Sequence, residues 1–427
     1  MPSADERAFF DRIRDEPAED GPRLIYADWL EENGQPDRAE FIRLQVALER
    51  LEEDDPRRPD LRERERLLRD ANEHRWSADM IPLVSGYVFR RGVIDSISVD
   101  PNQFLSSGAA IFDLAPVRKV RFFEVRDRLV KLVQSPLLRN VRELDLTGNE
   151  SLGDSGPILL GRSKHLVRLD TLSLSYTELG DKGLQALAES PVFAGLRALD
   201  ISGNGQAGGT ARLGLPGLRA LANSPHLRQL DLLDVSGNYL SDSALRALLD
   251  GPTARHLSLL VAHTNRLGDA GTAALAGSLV FTKMAEMDGA IDLRRVEMGP
   301  AGARALAECP AMKSVDRLDL EGNNLGDAGL VALTRSPHLT RLRVLSLREN
   351  RISDDGARAL ARSPLMATLR ELDMDDNLIT RDSQDLLYEA SVEHDWRGLL
   401  KLKVNSQLRT RPLGIGPVGG YFRRPLS

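Results

Sequence analysis

The sequence contains few cysteine, lysine and aromatic residues. Its one cysteine, Cys309, cannot form a disulfide within the chain, and no apolar run approaches the ~18 residues of a membrane-spanning helix. The first residues, MPSADERAFF, lack the apolar core of a signal peptide. Lysine supplies 8 of the 57 cationic residues, and the net charge of −6 does not favour nucleic acid as a partner. We expect a soluble, cytoplasmic protein of 427 residues.

Charge is distributed unevenly along the chain. Residues 1–80 carry 23 acidic residues against 14 arginines, whereas residues 396–427 carry seven Lys and Arg and no acid. The basic segment predicts a disordered, solvated tail. Contact of the tail with an anionic surface or nucleic acid is the alternative, although only Trp396, Tyr421 and Phe422 could stack on bases there.

A repeat dominates the sequence after about residue 90. The template L-x-x-L-x-L-x-x-N fits nine segments, which end at Asn149, Thr177, Asn204, Asn238, Asn265, Val296, Asn323, Asn350 and Asn377. Successive ends are 28, 27, 34, 27, 31, 27, 27 and 27 residues apart, and the 34 reflects the insertion GQAGGTARLGLPG. Weaker copies end at Asn102 and Val125, and LLKLKVNSQ is a partial last copy.

Each unit predicts a strand followed by a helix. The alternating L-x-L segment is typical of a short strand with its apolar residues on one side, and the Asn carboxamide can satisfy backbone groups where the strand ends. The second half, as in LGDAGLVALTRSPHL, places Asp near a helix start, Leu and Ala at helical spacing, and Ser-Pro where the helix stops. A strand and a helix per ~27 residues is the leucine-rich repeat unit.

Residues ~90 to 405 resemble the ribonuclease-inhibitor-like leucine-rich repeats. The resemblance implies an α/β horseshoe solenoid of about eleven or twelve units, with strands on the concave side. We predict three regions: a helical domain at 1–80, the array at 81–395, and a partial capping repeat with the basic tail at 396–427. The inhibitor that gives the fold its name is rich in cysteine, so inhibition of a ribonuclease does not carry over to this chain.

The variable strand positions are the predicted partner-facing residues. Between the two Leu positions stand Asp145, Ser173, Asp200, Asp234, Val261, Asp292, Asp319, Ser346 and Asp373. Two residues further on stand Thr147, Ser175, Ser202, Ser236, His263, Arg294, Glu321, Arg348 and Asp375. The first column predicts an intermittent acidic ladder, because neighbouring strands lie ~4.8 Å apart.

Two interpretations of this face remain open. The acidic surface can attract a basic protein partner, or Asp can stand there for solubility alone. The region from Asp319 to Asp375 mixes both signs of charge, which suits specific pairing. Our candidate partner-binding residues are Asp234, His263, Asp292, Arg294, Asp319, Glu321, Arg343, Arg348, Asp373 and Asp375.

Three patterns resemble catalytic or ligand sites. GDSGP at 153–157 resembles a serine protease motif, but other units read GDKG or GDAG in the same phase, which favours a helix-entry turn. GNGQAG at 203–208 fits a dinucleotide fingerprint, but the regular units on both sides favour a loop. His165, His226 and His338 share a phase but are two and four units apart, too far for one metal ion.

The segment PRLIYADWLEENGQPDRAEFIRLQ, together with FRRGVIDSISV further on, resembles the bacterial repeat-companion domain. Apolar residues spaced four apart predict helices in ADERAFFDRIRD, RLIYADWLEEN and AEFIRLQVALERLEE, with a fourth in PDLRERERLLRDANEHRW. Asp28, Glu31 and Glu32 could be metal or acid/base carboxylates, but a solvated helix face is favoured. The resemblance implies association with repeats and no activity, so the domain caps the array or docks a partner.

The combined prediction is a non-catalytic, bacterial protein-interaction scaffold. It has an unidentified and possibly basic protein partner, with no cofactor, metal, small-molecule substrate or membrane, and nucleic acid is disfavoured. The alternatives are regulation of an enzyme partner, as an inhibitor or in the manner of GTPase-activating repeat proteins, and anionic-surface binding through the tail.

Overall fold

The computed structural model describes residues 2–52, 55–205, 213–393, 401–404 and 407–409. Most of the insertion after Asn204 and the basic segment 410–427 lie outside the described residues, and so do the aromatic residues of that tail. The chain divides into two compact units, residues 1–152 with 158–177 and residues 153–157 with 178–427. Each unit is described separately below.

The first unit begins with the predicted helices. They are α1 (Ala4–Asp15), α2 (Gly21–Glu32), α3 (Pro36–Arg50) and α4 (Arg58–Ser77). Ser3 and Glu6 form a capping box at the start of α1, and Pro22 and Pro36 stand in the first turns of α2 and α3. Their shared core contains the fully buried Tyr26 and Leu30. Phe10 and Tyr26 are the aromatic residues of this buried core, and Phe9 and Trp29 pack against it.

A β-hairpin of strands β1 (Gly86–Arg90) and β2 (Val93–Val99) follows the helices. Arg91 and Gly92 make the turn with φ values of 47° and 82°. A Cβ on Gly92 would lie 2.4 Å from the Ile42 Cα, and the Gly92 amide donates to Gln45 Oε1 at 2.7 Å. The FRRGV segment therefore supplies a turn on which α3 packs directly.

Arginines attach the turn between α1 and α2 to the repeats of the first unit. Arg91 Nη1 donates to the Ala18 carbonyl at 3.0 Å, and Arg168 Nη1 donates to Asp15 at 2.8 Å. Arg23 is 1% exposed and donates to the Glu19 carbonyl at 2.7 Å. Burial lowers the pKa of the Arg23 guanidinium to about 10. The helical segment and the first repeats form one compact unit as a result.

Parallel strands continue the first unit after the hairpin. The elements are α5 (Pro101–Leu114), β3 (Lys119–Phe122), α6 (Leu129–Leu132), β4 (Glu143–Asp145), α7 (Ser155–Leu160) and β5 (Thr171–Ser173). Each of β2 to β4 pairs in parallel with the next strand. Asn102, which we aligned with the terminal Asn of a repeat, lies instead in the first turn of α5 and donates its amide to Asp100. Helix α7 is divided between the two units.

The second unit alternates strands and helices. Its helices are α8 (Asp181–Glu189), α9 (Leu215–Ala222), α10 (Asp242–Leu249), α11 (Gly268–Ala276), α12 (Leu279–Met287), α13 (Pro300–Glu308), α14 (Gly326–Thr334), α15 (Asp354–Ala361) and α16 (Arg381–Glu393). Its strands are β6 (Ala198–Asp200), β7 (Leu232–Asp234), β8 (Leu259–Val261), β9 (Ala290–Asp292), β10 (Arg317–Asp319), β11 (Val344–Ser346), β12 (Glu371–Asp373), β13 (Lys401–Val404) and β14 (Gln407–Arg409). Strands β6 to β8 pair in parallel, as do β9 to β13, and β14 is antiparallel to β13. Helix α12 is the extra element in the unit with the 31-residue spacing.

The terminal asparagines form a buried hydrogen-bonded ladder, as their carboxamides predict. Asn323 is 2% exposed, and its Oδ1 accepts the amides of Val296 and Met298 at 3.1 and 3.0 Å. Its Nδ2 donates to the carbonyls of Leu293 and Leu320 at 2.8 and 2.9 Å. One side chain therefore satisfies backbone groups of its own unit and of the preceding unit.

The Asp of each Gly-Asp motif stands near a helix start, as predicted, and caps the helix of the following unit. Asp154 Oδ1 accepts the amides of Gly180 and Gly183 at 2.8 Å each. Asp269 Oδ1 accepts the amides of Gly299 and Gly302 at 2.7 and 2.6 Å. These carboxylates satisfy amides that a helix start leaves without a backbone partner.

The C-terminal ends of helices are capped by side chains of the following unit. Ser224 Oγ donates to the Ala188 carbonyl in the last turn of α8, and Ser336 Oγ donates to the Ala307 carbonyl in the last turn of α13, both at 2.5 Å. The lone cysteine occupies the same phase, since Cys309 Sγ lies 3.1 Å from the Ala276 carbonyl at the end of α11. Helices α8, α9, α14 and α15 end one or two residues before Ser-Pro, as predicted.

Candidate partner-binding surface

The acidic column is in register across the strands of the second unit. Asp292 pairs with Asp319, Asp319 with Ser346, Ser346 with Asp373, and Asp373 with Lys403. Asp200, Asp234 and Val261 form the equivalent column on β6 to β8. Parallel strands of equal phase place these side chains on one sheet face, opposite the buried leucines.

Each carboxylate of this column has a backbone role. Asp234 Oδ1 accepts the Ser236 amide at 2.8 Å, and Asp319 Oδ1 accepts the Glu321 amide at 3.0 Å. The same bond to the amide two residues ahead occurs at Asp145, Asp200, Asp292 and Asp373. Asp therefore ends the strand by a local side-chain turn, which is a structural reason for Asp at this position beyond solubility.

Burial differs sharply among the candidate residues. Asp319 is 5% and Asp375 8% exposed, whereas Arg343 is exposed and Arg348 is partly exposed. Burial raises the pKa of Asp319 to about 6, with a contribution from the neighbouring Asp292 carboxylate. Burial also raises the pKa of Asp234. Asp319 and Asp375 therefore present little carboxylate surface to a partner.

Arginine side chains neutralise part of the column. Arg294 Nη2 bonds to Asp292 Oδ2 at 2.7 Å, and its Nε lies 3.4 Å from Asp319 Oδ2. These hydrogen bonds with Asp292 raise the pKa of Arg294. On the last strands, Lys403 Nζ bonds to Asp373 Oδ2 at 2.9 Å.

A second ion-pair network lies at the turns that follow the strands. Arg295 Nη2 contacts Glu321 at 3.1 Å and Glu349 at 3.2 Å, which spans two units. The bridge passes over Gly322, where a Cβ would lie 2.6 Å from Arg295 Cγ. A further ion pair joins the next two units, where Arg348 Nη2 lies 2.6 Å from Asp376 Oδ2.

Sequence reasoning missed Arg295, Glu349 and Asp376. They stand in the position directly before the ladder residue, where Gly148, Gly203, Gly237 and Gly322 stand in other units. All of these residues have positive φ, which is 53° at Arg295, 52° at Glu349 and 58° at Asp376. A non-glycine residue in this conformation is uncommon and costs about 1 kcal/mol. Glycine at this position in four other units was the signal that could have identified them.

The other singled-out motifs have local structural roles. Ser155 begins helix α7, so the prediction of a helix-entry turn at GDSGP is confirmed. The amides of His226 and His338 donate to the serines two residues earlier, which places these residues in turns. Among the described residues, no group of three or more His, Cys, Asp or Glu could hold a metal ion. Within GNGQAG, Gly203 and Asn204 belong to the repeat turn, and residues 206–208 lie outside the described part of the chain.

The structure also places four more of the predicted residues. Arg43 of α3 bonds to Asp28 at 2.6 Å and to Glu31 at 2.7 Å, so these carboxylates of α2 connect two helices at the surface. His263 lies two residues after β8, and its Nδ1 is 3.1 Å from Thr264 Oγ1. Arg343 directly precedes β11 and has no side-chain hydrogen bond or ion pair among the described residues.

Comparison with known proteins agrees with this architecture. A family model described as Leucine Rich repeat matches residues 138–160, 164–188, 312–333 and 338–361. The chain has a leucine-rich repeat fold. No described helix is long and apolar enough to cross a membrane.

Two solved structures are similar to this leucine-rich repeat chain. One is a chain of the Rad7 and Elc1 complex in yeast, with 15% identity, 98% of each chain covered and a TM-score of 0.49. The other is an internalin (inlF) from Listeria monocytogenes str. 4b F2365, with 15% identity, 69% of this chain and 84% of that chain covered, and a TM-score of 0.34.

Proposed function

We propose that this chain is a non-catalytic, cytoplasmic scaffold that binds a protein partner on the exposed sheet face of β9 to β12. The observation that carries the proposal is the fixed pattern of both charge signs on this face and at the turns that follow its strands. Arg294, Arg295 and Arg348 each hold a carboxylate of the same or another unit at 2.6 to 3.2 Å. Such a pattern discriminates between partners better than charge of one sign.

Cross-strand ion pairs support recognition because they orient the side chains before a partner arrives. Arg295 and Glu349 adopt a left-handed backbone conformation, which glycine occupies in four units and Tyr176, Thr264 and Asp376 occupy in three others. Side chains that are already ordered lose less conformational entropy on binding.

We assign the helical segment α1 to α4 a capping role in this scaffold, in line with its resemblance to a repeat-companion domain. The first strand of an array exposes backbone and apolar groups unless another element covers it. Helix α3 packs on the hairpin turn through Ile42, and Tyr87 of β1 lies 2.9 Å from the Ser77 hydroxyl of α4. Both contacts fit a cap on the first hairpin.

Capture from a lysate of the source cell tests the scaffold proposal. The baits are the intact chain, the face variant Glu321→Lys/Arg348→Glu, and the control Arg304→Glu/Glu308→Lys on helix α13. Neither variant changes the net charge, and all four positions have accessible side chains. We avoid Asp319 and Asp375, because lysine at these buried positions would disturb the strand ends.

The expected result is a protein retained by the intact chain and the control and lost by the face variant. Circular dichroism spectra and melting temperatures of the three baits should coincide. Equal retention of every captured protein by the face variant would show that this sheet face is not the binding surface. A captured enzyme should then be assayed with and without the scaffold, which tests the regulatory alternative.

A further inference from the structure

Three exposed arginines lie where the chain enters strands β11 and β12. Arg343 directly precedes β11, Arg370 directly precedes β12, and both are exposed. They occupy equivalent positions, because the Arg370 amide donates to the Arg343 carbonyl at 2.6 Å, as the Arg343 amide does to the Asp316 carbonyl at 2.7 Å. Arg341, two residues before Arg343, is a third exposed guanidinium.

At the same position in other repeats, each arginine has an acidic residue nearby. Arg118, before β3, is followed by Arg142 on the adjacent strand and bonds to Asp95 at 2.6 Å. In the first unit, Arg142 before β4 lies 3.7 Å from Asp170 before β5. In the second unit, Arg197 before β6 is followed by Asp231 before β7, whose amide donates to the Arg197 carbonyl. Arg343 and Arg370 differ from these arginines, because they precede adjacent strands and neither has an ion pair among the described residues. Like charges on adjacent strands are unfavourable without a counter-charge.

The carboxylates next to these arginines are partly buried. Asp316 Oδ1 lies 3.8 Å from Arg317 Nε and has no hydrogen-bond partner among the described residues, and Glu371 of β12 is half-buried. Arg370 Nη1 donates to the Leu369 carbonyl at 3.1 Å, which leaves the rest of its guanidinium at the surface. The carboxylates of the sheet column accept backbone amides and pair with Arg294 or Lys403, as described above.

We propose that Arg341, Arg343 and Arg370 form a receptor for an acidic segment of the partner protein. This inference rests on the proposed function and names the chemistry of its partner. Guanidinium groups bind carboxylates in bidentate geometry, so adjacent arginines suit successive Asp or Glu side chains. An acidic partner replaces the basic one that the acidic column suggested from sequence.

Binding of a fluorescein-labelled dodecaglutamate peptide to the full chain tests this receptor. Fluorescence anisotropy should be measured at about 20 and about 200 mM NaCl, because salt weakens such contacts. The test variant is Arg343→Glu/Arg370→Glu. The control is Arg304→Glu on helix α13 with Arg362→Glu directly after helix α15, which makes the same change in net charge. The chain has a net charge of −6, so its overall field repels the probe and any saturable binding reports a local site.

The expected result is saturable, salt-sensitive binding that the test variant weakens by about tenfold or more and that the control leaves within about twofold. Absence of saturable binding to the intact chain, or equal binding by the test variant, would overturn the receptor. Failure of this inference is distinguishable from failure of the scaffold. A captured partner that Glu321→Lys/Arg348→Glu loses but Arg343→Glu/Arg370→Glu retains would leave the scaffold standing and remove the arginine receptor.

Discussion

Asp269 caps the helix that contains Gly302, in the unit that follows its own. Its Oδ1 accepts the Gly302 amide at 2.6 Å, and Gly302 needs to be glycine because a Cβ would lie 2.9 Å from that oxygen and 2.6 Å from Met298 Cγ. The two residues therefore form one structural element across a repeat boundary. Each helix of this kind depends on its neighbour for its first hydrogen bonds.

Removal of the cap should destabilise the array. Asp269→Ala leaves the amides of Gly299 and Gly302 without their acceptor and is expected to lower the free energy of unfolding by about 1–2 kcal/mol. Urea denaturation followed by circular dichroism measures the change. The control is Asp242→Ala, since Asp242 occupies the same phase but faces Arg246 at 4.0 Å on its own helix. An equal loss in both variants would argue against the cross-unit cap.

Gly302→Ala should destabilise the protein although alanine is the better helix former. In an ordinary helix interior this change gains about 1 kcal/mol. Here the added methyl group displaces Asp269 or Met298, and we expect a net loss of about 1–3 kcal/mol. Gly277→Ala is the matched control, because its Cβ would meet nothing closer than 3.5 Å. A melting temperature of Gly302→Ala at or above that of the wild type would contradict the packing described.

The lone cysteine should be replaceable by serine. Cys309 occupies the phase of Ser224 and Ser336, whose hydroxyls donate to the last turn of the preceding helix. Cys309→Ser is therefore expected to be neutral within about 0.5 kcal/mol, whereas Cys309→Val removes the donor to the Ala276 carbonyl and should cost about 1 kcal/mol. Thermal unfolding of both variants measures the difference. A valine variant as stable as the serine variant would exclude a capping role.

The buried Asp319 carboxylate should make stability depend on pH. Its folded pKa of about 6 lies above the ordinary 3.8, so the folded state holds this proton more tightly than the unfolded state. The contribution of Asp319 to stability is therefore lost as the pH rises from about 4 through 6. Asp319→Asn keeps an acceptor for the Glu321 amide and should exceed the wild type in stability by about 1–3 kcal/mol at pH 8, with a smaller difference at pH 5. A difference that is the same at both pH values would contradict the raised pKa.

Local periodicity was sufficient to predict the strands, the side-chain columns and the Asn ladder. The alternation that places Leu318 inside and Asp319 on the sheet face is a property of the strand itself, independent of its neighbours. The four N-terminal helices were predictable for the same reason. Their apolar residues recur at helical spacing within each segment.

Contacts between units could not be read from one unit. The Gly-Asp motif indicated a cap, but which helix receives it depends on how successive units stack, some 30 residues apart in sequence. The ion pair between Arg295 and Glu349 could not be predicted from the repeat pattern. Arg295 belongs to the degenerate unit that ends at Val296, and its side chain reaches Glu349 across a glycine of the intervening unit. Burial of Asp319 depends on the packing of side chains around it, which the column pattern does not contain.

Carboxylate footprinting of the scaffold with its captured partner tests the central proposal most directly. Carbodiimide labelling followed by mass spectrometry compares Glu349 and Asp376, on the sheet side, with Glu308 and Asp355, on helices α13 and α15; the four side chains are accessible in the free chain. The account predicts that the partner lowers labelling of Glu349 and Asp376 and leaves Glu308 and Asp355 unchanged. Protection of the helix carboxylates with full labelling of the sheet-side pair would contradict it.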